Sequence, residues 1–136
     1  MATETSVRQF MRTIVSVDSK SKVKDAARMM VEKGIGSLIA NRDGLPFGII
    51  TERDLMEKIV AQGVDPAKIT VNEIMTAPLT TIDANASIFD AARRMVEKRV
   101  KRLVVTDREK IIGIVSQTDL LQGIADFKKL AKMGMT

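Results

Sequence analysis

DAARMMVEK (Asp25 to Lys33) is followed 65 residues later by DAARRMVEK (Asp90 to Lys98), and GIITERDL (Gly48 to Leu55) returns at the same offset as GIVSQTDL (Gly113 to Leu120). The offset holds without a gap over 43 residues, of which 14 are identical. The chain therefore contains one segment twice, and this duplication is the strongest indication of how it folds.

The two copies divide the chain into two structural units. A unit of about 60 residues that folds alone is marginally stable, and two units that pack together bury more apolar surface. The 136 residues are 45% hydrophobic and 29% charged, which is typical of a globular chain. We predict two domains, residues 1–63 with a short N-terminal helix and residues 64–136 with a C-terminal tail.

The composition argues against several kinds of site. The chain has no cysteine and no histidine, so disulfides, thiolate chemistry, the commonest metal ligand and the usual general base are all missing. We expect no catalytic residues and no metal site. The net charge of +5, from 22 Lys and Arg against 17 Asp and Glu, favours anionic partners such as nucleotides, nucleic acid or acidic proteins.

The sequence also indicates a location. No apolar run approaches the roughly 18 to 20 residues that a membrane span requires. The N-terminal stretch MATETSVRQF has no apolar signal core. We expect a cytoplasmic protein that has no membrane partner.

Each copy has the pattern of a β-α-β-β-α unit. Two β-rich runs follow each repeated helix, the first pair joined by the turn-forming Asp43-Gly44, and a second helix is expected to begin near Thr51 and near Ser116. Apolar residues at i, i+3, i+4, i+7 and i+8 predict one buried face for the first helix of each copy. These residues are Val23, Ala26, Ala27, Met30 and Val31, then Ile88, Ala91, Ala92, Met95 and Val96.

The two copies differ at the end of the first helix. Gly34 is a favourable C-terminal stop because glycine adopts the left-handed conformation easily, whereas the second copy has Arg99 there. At the start of the first helix of the second copy, Ser87 and Asp90 have the spacing of a capping box.

The second repeated motif carries the candidate chemistry. The hydroxyl of Thr51 lies at the predicted start of a helix, where unpaired amides and the helix dipole favour an anion such as phosphate. Asp54 lies nearly one turn further on the same face, and an ionised carboxylate accepts both protons of a ribose diol. Ser116 and Asp119 repeat this pair.

A second interpretation of the same motif is open. A Thr or Ser followed three residues later by Asp is also an ordinary helix cap that needs no ligand, and both interpretations can hold at once. The glycine before each motif, Gly48 or Gly113, is expected to offer close backbone approach to a ligand held by the motif.

The order of these features resembles the cystathionine β-synthase (CBS) domain. Its elements are a short helix with Met (SVRQFM and TVNEIM), a strand, the DAA helix, a hairpin and the motif G-h-h-T/S-x-x-D-L, where h is apolar. The resemblance covers about residues 6–125, and two copies in tandem resemble a Bateman module. It implies the fold class α/β (α+β), with two pseudo-twofold-related β-α-β-β-α CBS units packed sheet to sheet.

The resemblance also implies a ligand and partners. Clefts between the two repeats are expected to bind an adenosine-containing ligand, with AMP, ADP or ATP as first candidates and S-adenosylmethionine or NAD as second candidates. No cofactor is required. The family further implies a homodimer in which two modules form a disc, and a regulated protein that the module contacts in trans.

The ligand-binding residues are expected in three stretches of each copy. By family correspondence, main-chain groups of the first strand and of the start of the second strand meet the base, whose edge backbone amides and carbonyls can read. The third stretch is the T/S-x-x-D motif. The candidate ligand-binding residues are Ser16, Val17, Ile35, Gly36, Ser37, Thr51, Arg53, Asp54, Thr80, Thr81, Ile82, Val100, Lys101, Arg102, Ser116, Thr118 and Asp119.

Positive charge distinguishes the two copies. The second reads EKRVKRL where the first reads EKGIGSL, which adds cations at Lys98, Arg99, Lys101 and Arg102. This run is either an ordinary solvated face or a phosphate-binding group. Neighbours on a strand point to opposite sides, so one of Lys101 and Arg102 is expected to reach a ligand, and the planar fork of Arg102 suits phosphate oxygens. Arg53 is a further candidate, and its counterpart Thr118 is neutral.

Three functions are consistent with the sequence. The first is a non-catalytic regulatory module that senses an adenine nucleotide and signals to a partner protein. The alternative is a regulator that binds nucleic acid through its basic surface, although four Phe and no Tyr or Trp supply little base stacking. An enzyme is the third, and no nucleophile with a base, Walker loop or metal-ligand cluster supports it.

Overall fold

The computed structural model of the protein describes residues 5–134, except the side chain of Leu130. These residues form two compact units. Residues 14–79 form one, called here the first-copy unit. The segment up to Thr13 joins the residues from Thr80 onward in the other, called the second-copy unit.

The compact units exchange the short segments that precede the sequence copies. The N-terminal segment packs on the second copy, where the Val7 N–H donates to the Ala86 carbonyl at 2.9 Å. The segment that precedes the second copy packs on the first copy in the same way. The predicted ranges 1–63 and 64–136 therefore follow the sequence copies, whereas the compact units cross that boundary.

The first-copy unit has the predicted order of strands and helices. After the second strand pair, the helix starts as a single α-helical turn and continues as a π-helical turn. A short helix then follows the joint. The elements are β1 (Ser16–Asp18), α1 (Val23–Lys33), β2 (Ser37–Arg42), β3 (Leu45–Thr51), α2 (Glu52–Leu55), the π-helical turn (Met56–Val60) and α3 (Val71–Ile74).

The second-copy unit repeats this order, with one long helix at its end. Its N-terminal segment contains a 3₁₀ turn, Val7–Gln9. The last helix extends into the C-terminal tail as far as Lys132. The remaining elements are β4 (Thr81–Asp83), α4 (Ile88–Lys98), β5 (Arg102–Asp107), β6 (Lys110–Ser116) and α5 (Gln117–Lys132).

Each unit contains one three-stranded sheet. The strand orders are β1-β2-β3 and β4-β5-β6, with the first pair of each sheet parallel and the second antiparallel. The parallel pair needs a crossover, which α1 and α4 provide, and the antiparallel pair is the predicted hairpin. The mixed α+β fold class is confirmed, and the pseudo-twofold packing of the units stays a prediction.

The predicted helix faces are correct at their centres and wrong at one edge. Val23, Ala26 and Met30 are buried in the first-copy core, as are their equivalents in α4. Val31 is 81% exposed and Val96 is 78% exposed. A residue eight positions along a helix lies about 80° around the axis, so Val31 and Val96 fall outside the stripe that faces the core.

Both copies have a left-handed backbone residue at the end of their first helix, but the residue type differs. Gly34 ends α1 at φ 63°, and Arg99 ends α4 at φ 57°. The hairpin turn of the first copy has Asp43 and Gly44 at positive φ, as its sequence predicts. Arginine pays a steric cost in this conformation that glycine does not pay.

Arg99→Gly is therefore expected to stabilise the chain by about 1 kcal/mol. Urea denaturation monitored by circular dichroism measures the change. Gly34→Ala is the matched control, because it introduces the same steric cost at the equivalent end of α1, and it is expected to lose a similar amount. An Arg99→Gly variant less stable than the unaltered protein would contradict this assignment.

Candidate functional site

The carboxylate of Asp54 is buried at the start of α2 and contacts four donors among the described residues. Its Oδ2 accepts the Thr51 N–H at 2.9 Å and the Thr51 hydroxyl at 3.1 Å. Its Oδ1 accepts Lys58 Nζ at 2.9 Å and the Thr76 hydroxyl at 3.2 Å. The Asp54 N–H donates back to Thr51 Oγ1, which completes a capping box. The capping interpretation of this motif is confirmed for the first copy.

The equivalent carboxylate, Asp119, is also buried but contacts fewer donors. Its Oδ2 accepts the Ser116 N–H at 2.9 Å, and its own N–H donates to Ser116 Oγ at 3.1 Å. Its Oδ1 accepts Arg12 Nε at 2.7 Å. Within residues 5–134, two donors therefore contact this carboxylate, half the number at Asp54. The hydrogen bond to Asp119, and then the charge of that carboxylate, raise the pKa of Arg12 above its ordinary value.

The exchanged segments deliver Arg12 and Thr76 to these carboxylates. Arg12 pairs through both main-chain groups with Ile114 of β6, at 2.8 and 3.0 Å, and Thr76 pairs likewise with Ile49 of β3. Each bridge lies beside the glycine that precedes the motif. The segment before each copy thus supplies a side chain to the motif of the other copy.

The two motif glycines admit this neighbouring segment. A Cβ at Gly48 would lie 2.9 Å from both Met75 Sδ and the Thr76 carbonyl oxygen. A Cβ at Gly113 would lie 2.7 Å from Met11 Sδ and 3.0 Å from the carbonyl oxygen of the next residue. The space beside each of these glycines is therefore occupied by main chain and methionine of the segment that precedes the other copy.

Hydrogen bonds join the start of the second strand of each sheet to the motif. The Glu52 N–H donates to the Gly36 carbonyl at 3.1 Å, and the Gln117 N–H donates to the Lys101 carbonyl at 2.8 Å. The strand registers place Ser37 opposite Thr51 and Arg102 opposite Ser116. Two of the three predicted stretches therefore meet in each unit. They comprise Ile35, Gly36 and Ser37 with Thr51, Arg53 and Asp54, and Val100, Lys101 and Arg102 with Ser116, Thr118 and Asp119.

The first strand of each sheet lies one step further from the motif. Ser16 pairs with Ile39, and Thr81 pairs with Val104, while the Thr80 carbonyl accepts the N–H of Val104. The side chains of this stretch divide by burial: Ser16 and Thr81 are exposed, whereas Val17 and Ile82 belong to the two cores.

The candidate phosphate-binding cations are placed differently. Lys101 is exposed immediately before β5, and Arg102 is partly buried at its start. Arg53 Nε donates to Glu57 one turn along the same helix, and that contact raises the pKa of Arg53. Arg53 is consequently held by an intrahelical ion pair on an exposed face.

One cavity in the second-copy unit lies directly beside the Asp119 motif. Its volume is about 330 Å³, within the range of about 300 to 1,000 Å³ that small-molecule sites occupy. The walls combine an aromatic ring and a thioether with one ion pair and three neutral polar side chains. The lining residues are Gln9, Phe10, Met11, Arg12, Thr118, Asp119 and Gln122.

Sequence reasoning missed the residues that contact the motif carboxylates from outside the motif. These residues are Arg12, Lys58 and Thr76. A signal for two of them was present, because SVRQFM and TVNEIM align at an offset of 64 and each is followed by the contacting residue. The carboxylate that each one contacts was not evident from the sequence. Arg12 and Asp119, for example, are 107 residues apart.

Comparison with known proteins identifies the family. The family model of the CBS domain matches residues 7–61 and 71–126. The chain belongs to the CBS-domain family. As a tandem CBS protein it is 35% identical to a proposed signal-transduction protein with CBS domains from Burkholderia ambifaria, whose structure matches at a TM-score of 0.84 over 90% of this chain and 95% of that one.

Two further relatives are longer than the region that matches this chain. An uncharacterised protein of Methanopyrus kandleri is 39% identical over 113 residues, which are 82% of this chain and 58% of that protein. This CBS pair therefore spans little more than half of that relative. A hexameric CBS-CP12 protein from bloom-forming cyanobacteria is 30% identical at a TM-score of 0.81, over 90% of this chain and 72% of that one. Together the comparisons support a regulatory or signal-transduction module.

The described part of the chain lacks the features of a membrane span and of an acidic metal site. Within residues 5–134 no helix has the length and apolar character needed to cross a membrane. In the same range, no group of three or more acidic side chains has the geometry of a metal site.

Proposed function

We propose that this CBS pair is a non-catalytic regulatory module that binds an adenosine-containing ligand, with AMP, ADP or ATP as first candidates, and signals to a partner protein. The observation that carries the proposal is the Asp119 carboxylate, buried at the wall of the 330 Å³ cavity. A carboxylate offers about four acceptor positions, and two donors of the described chain contact this one. Two positions therefore suit the two hydroxyls of a ribose.

The surroundings of Asp119 match the rest of such a ligand. Helix α5 begins at Gln117, beside the carboxylate, and the positive end of its dipole favours an anionic group. The exposed Lys101 lies at the neighbouring start of β5 and adds positive charge for a phosphate. Phe10 and Met11 provide apolar contact area for a flat base.

A thermal-shift panel tests the proposal. AMP, ADP, ATP, S-adenosylmethionine and NAD are each added, and a ligand at a hundred times its Kd is expected to stabilise the fold by about 2.7 kcal/mol. Asp119→Asn is expected to reduce the shift, measured against its own ligand-free melting temperature, because the amide nitrogen cannot accept a hydroxyl proton.

The control variant is Glu109→Gln, which removes the same charge from an exposed hairpin turn of the same unit. Its ligand-induced shift is expected to equal that of the unaltered protein. If no compound of the panel raises the melting temperature, the proposal is wrong for adenylates. Hydrolysis of ATP by the purified protein that Asp119→Asn abolishes would overturn the non-catalytic assignment.

We also infer a homodimer as the signalling form. Met56 and Val60 of the first copy and Leu121 of α5 are 61%, 64% and 60% exposed, which leaves apolar side chains on the helices that follow the motifs. Burial of such side chains between two modules would remove this surface from water. Light scattering is expected to give twice the mass of the chain, and a purely monomeric protein would contradict the inference.

Nucleic-acid binding is the second candidate, and one observation favours it. Lys98, Arg99 and Lys101 are all exposed between α4 and β5. Phosphate contacts from such a cluster give affinity that falls steeply with salt. A mobility shift that persists at physiological salt would favour this function, and the absence of binding there would exclude it.

A further inference from the structure

The two motif carboxylates each contact one cation, but the cations come from different parts of the fold. Asp54 contacts Lys58, which lies one turn later in the same helical segment. Asp119 contacts Arg12, which belongs to the N-terminal segment. Because both carboxylates are more than nine-tenths buried, each requires a compensating charge.

Alignment of the two copies shows that each motif carboxylate has a cation at only one of the two equivalent positions. The residue that aligns with Lys58, 65 positions later, is Gly123, and the residue that aligns with Arg12, 64 positions later, is Thr76. A Cβ at Gly123 would lie 3.2 Å from a ring atom of Phe10. A lysine at this position of α5 would therefore displace Phe10, and the cation comes instead from the segment that carries Phe10.

The different source of the cation changes how many hydrogen-bond acceptor positions each carboxylate has left. At Asp54 the cation and the Thr76 hydroxyl both contact Oδ1, while Thr51 contacts Oδ2 twice, so the acceptor positions are filled. At Asp119 the single Arg12 bond to Oδ1 and the single Ser116 bond to Oδ2 hold the carboxylate in place. One acceptor position on each oxygen then has no donor among residues 5–134.

We propose that Arg12 is the positioning residue of the Asp119 site and couples ligand binding there to docking of the N-terminal segment, residues 6–12. It orients the carboxylate so that both oxygens accept hydroxyl groups of the ligand. The inference rests on the proposed function, since it concerns the same site. Binding at Asp119 and docking of the segment are then linked, and the coupling is reciprocal.

The reciprocal effect of a bound ligand is to stabilise the contacts of the N-terminal segment. The segment is held by main-chain bonds from Val7 to Ala86 at 2.9 Å, from Arg8 to Ala84 at 3.0 Å and from the N–H of Arg12 to β6 at 2.8 Å. A ligand that requires the Arg12 and Asp119 pair stabilises these bonds. A partner protein that pulls the segment away weakens binding at Asp119, whereas Asp54 keeps the cation of its own helical segment.

Calorimetric titration with adenosine and with AMP tests the role of Arg12. Arg12→Thr introduces the residue type that the other copy has at this position, and Arg12→Lys keeps the charge. Arg12→Thr is expected to weaken adenosine and AMP alike by about tenfold, because Arg12 acts through the carboxylate and not on a phosphate. Arg12→Lys is expected to recover part of the affinity.

Arg28→Thr is the matched control, since it makes the same chemical change at an exposed position of α1. Its affinities are expected to equal those of the unaltered protein. An unchanged adenosine affinity in Arg12→Thr would overturn the inference, and a loss confined to AMP would make Arg12 a phosphate ligand instead. If the unaltered protein binds no compound of the thermal-shift panel, the proposed function itself fails and the inference fails with it.

Hydrogen exchange gives a readout that a merely structural role would not change. In the unaltered protein, bound ligand is expected to slow exchange of the amides of Val7, Arg8 and Arg12. In Arg12→Thr the ligand is expected to leave these amides unaffected even at saturating concentration. Equal ligand-dependent protection in both proteins would show that the segment and the site are not coupled through Arg12.

Discussion

Gly113→Ala is expected to destabilise the chain by about 3 kcal/mol, the upper end of the cost of overpacking. The added methyl group would lie 3.0 Å from the carbonyl oxygen of Arg12, which is main chain and cannot rotate away. The bridge between the N-terminal segment and β6 must then shift. Urea denaturation measures the loss, and weaker adenylate binding is expected with it because Arg12 moves away from Asp119.

Gly123→Ala is the control for this prediction. Its added methyl group would lie 3.2 Å from Ile88 Cδ1 and from the Phe10 ring, which are ends of side chains. Alanine also has about 1 kcal/mol higher helix propensity than glycine, so the net change is expected to stay below about 1 kcal/mol. Equal losses in the two variants would mean that the approach of the main chain at Gly113 is unimportant.

Asp54→Ala is expected to destabilise the chain by about 3 kcal/mol. The substitution removes the capping interaction with Thr51 and leaves the Thr76 hydroxyl and the Lys58 ammonium without their carboxylate. The estimate is at the low end for a broken buried pair because the Lys58 side chain is 40% exposed and can turn to water. Thermal and urea unfolding measure the change.

Glu73→Ala is the control that separates the contribution of the helix cap to stability from that of the buried contacts of Asp54. Glu73 makes the same capping box with Thr70, at 2.7 Å to its N–H and 3.1 Å to its hydroxyl, but on the exposed surface. The hydrogen bond from the Thr70 backbone lowers the pKa of Glu73, so this cap is present at neutral pH and is lost as pH falls through that lowered value. The loss in Glu73→Ala is expected to be much smaller than in Asp54→Ala. Similar losses would show that the buried contacts of Asp54 add little.

Local patterns in the sequence were sufficient for the secondary structure. The hairpin at Asp43-Gly44 and the helix end at Gly34 have the backbone that their residues predict. The position of Val31 was wrong because an apolar residue at the edge of a stripe satisfies the periodicity without reaching the core. Periodicity alone therefore located each helix more reliably than it located the limits of its buried face.

The candidate site was predictable in part. The pairs Thr51 with Asp54 and Ser116 with Asp119 lie within one helical turn, so their spacing predicts their contact. Arg12 reaches Asp119 from 107 residues away, and no local pattern reports such a contact. The difference in donors between the two carboxylates was likewise invisible, although the sequence did show that the two copies differ in charge.

By itself, the sequence determined the duplication, which is visible as identities at a constant offset of 65. It also determined the β-α-β-β-α order and the caps, because these depend on residues within a few positions of one another. The tertiary structure alone decided that the segments before the copies are exchanged, and that Arg12 and Thr76 therefore reach the motif carboxylates. The physical reason is that Gly48 and Gly113 leave room for a main chain, but only the folded packing determines which segment occupies it. The carboxylates of the two motifs consequently contact different numbers of donors among residues 5–134.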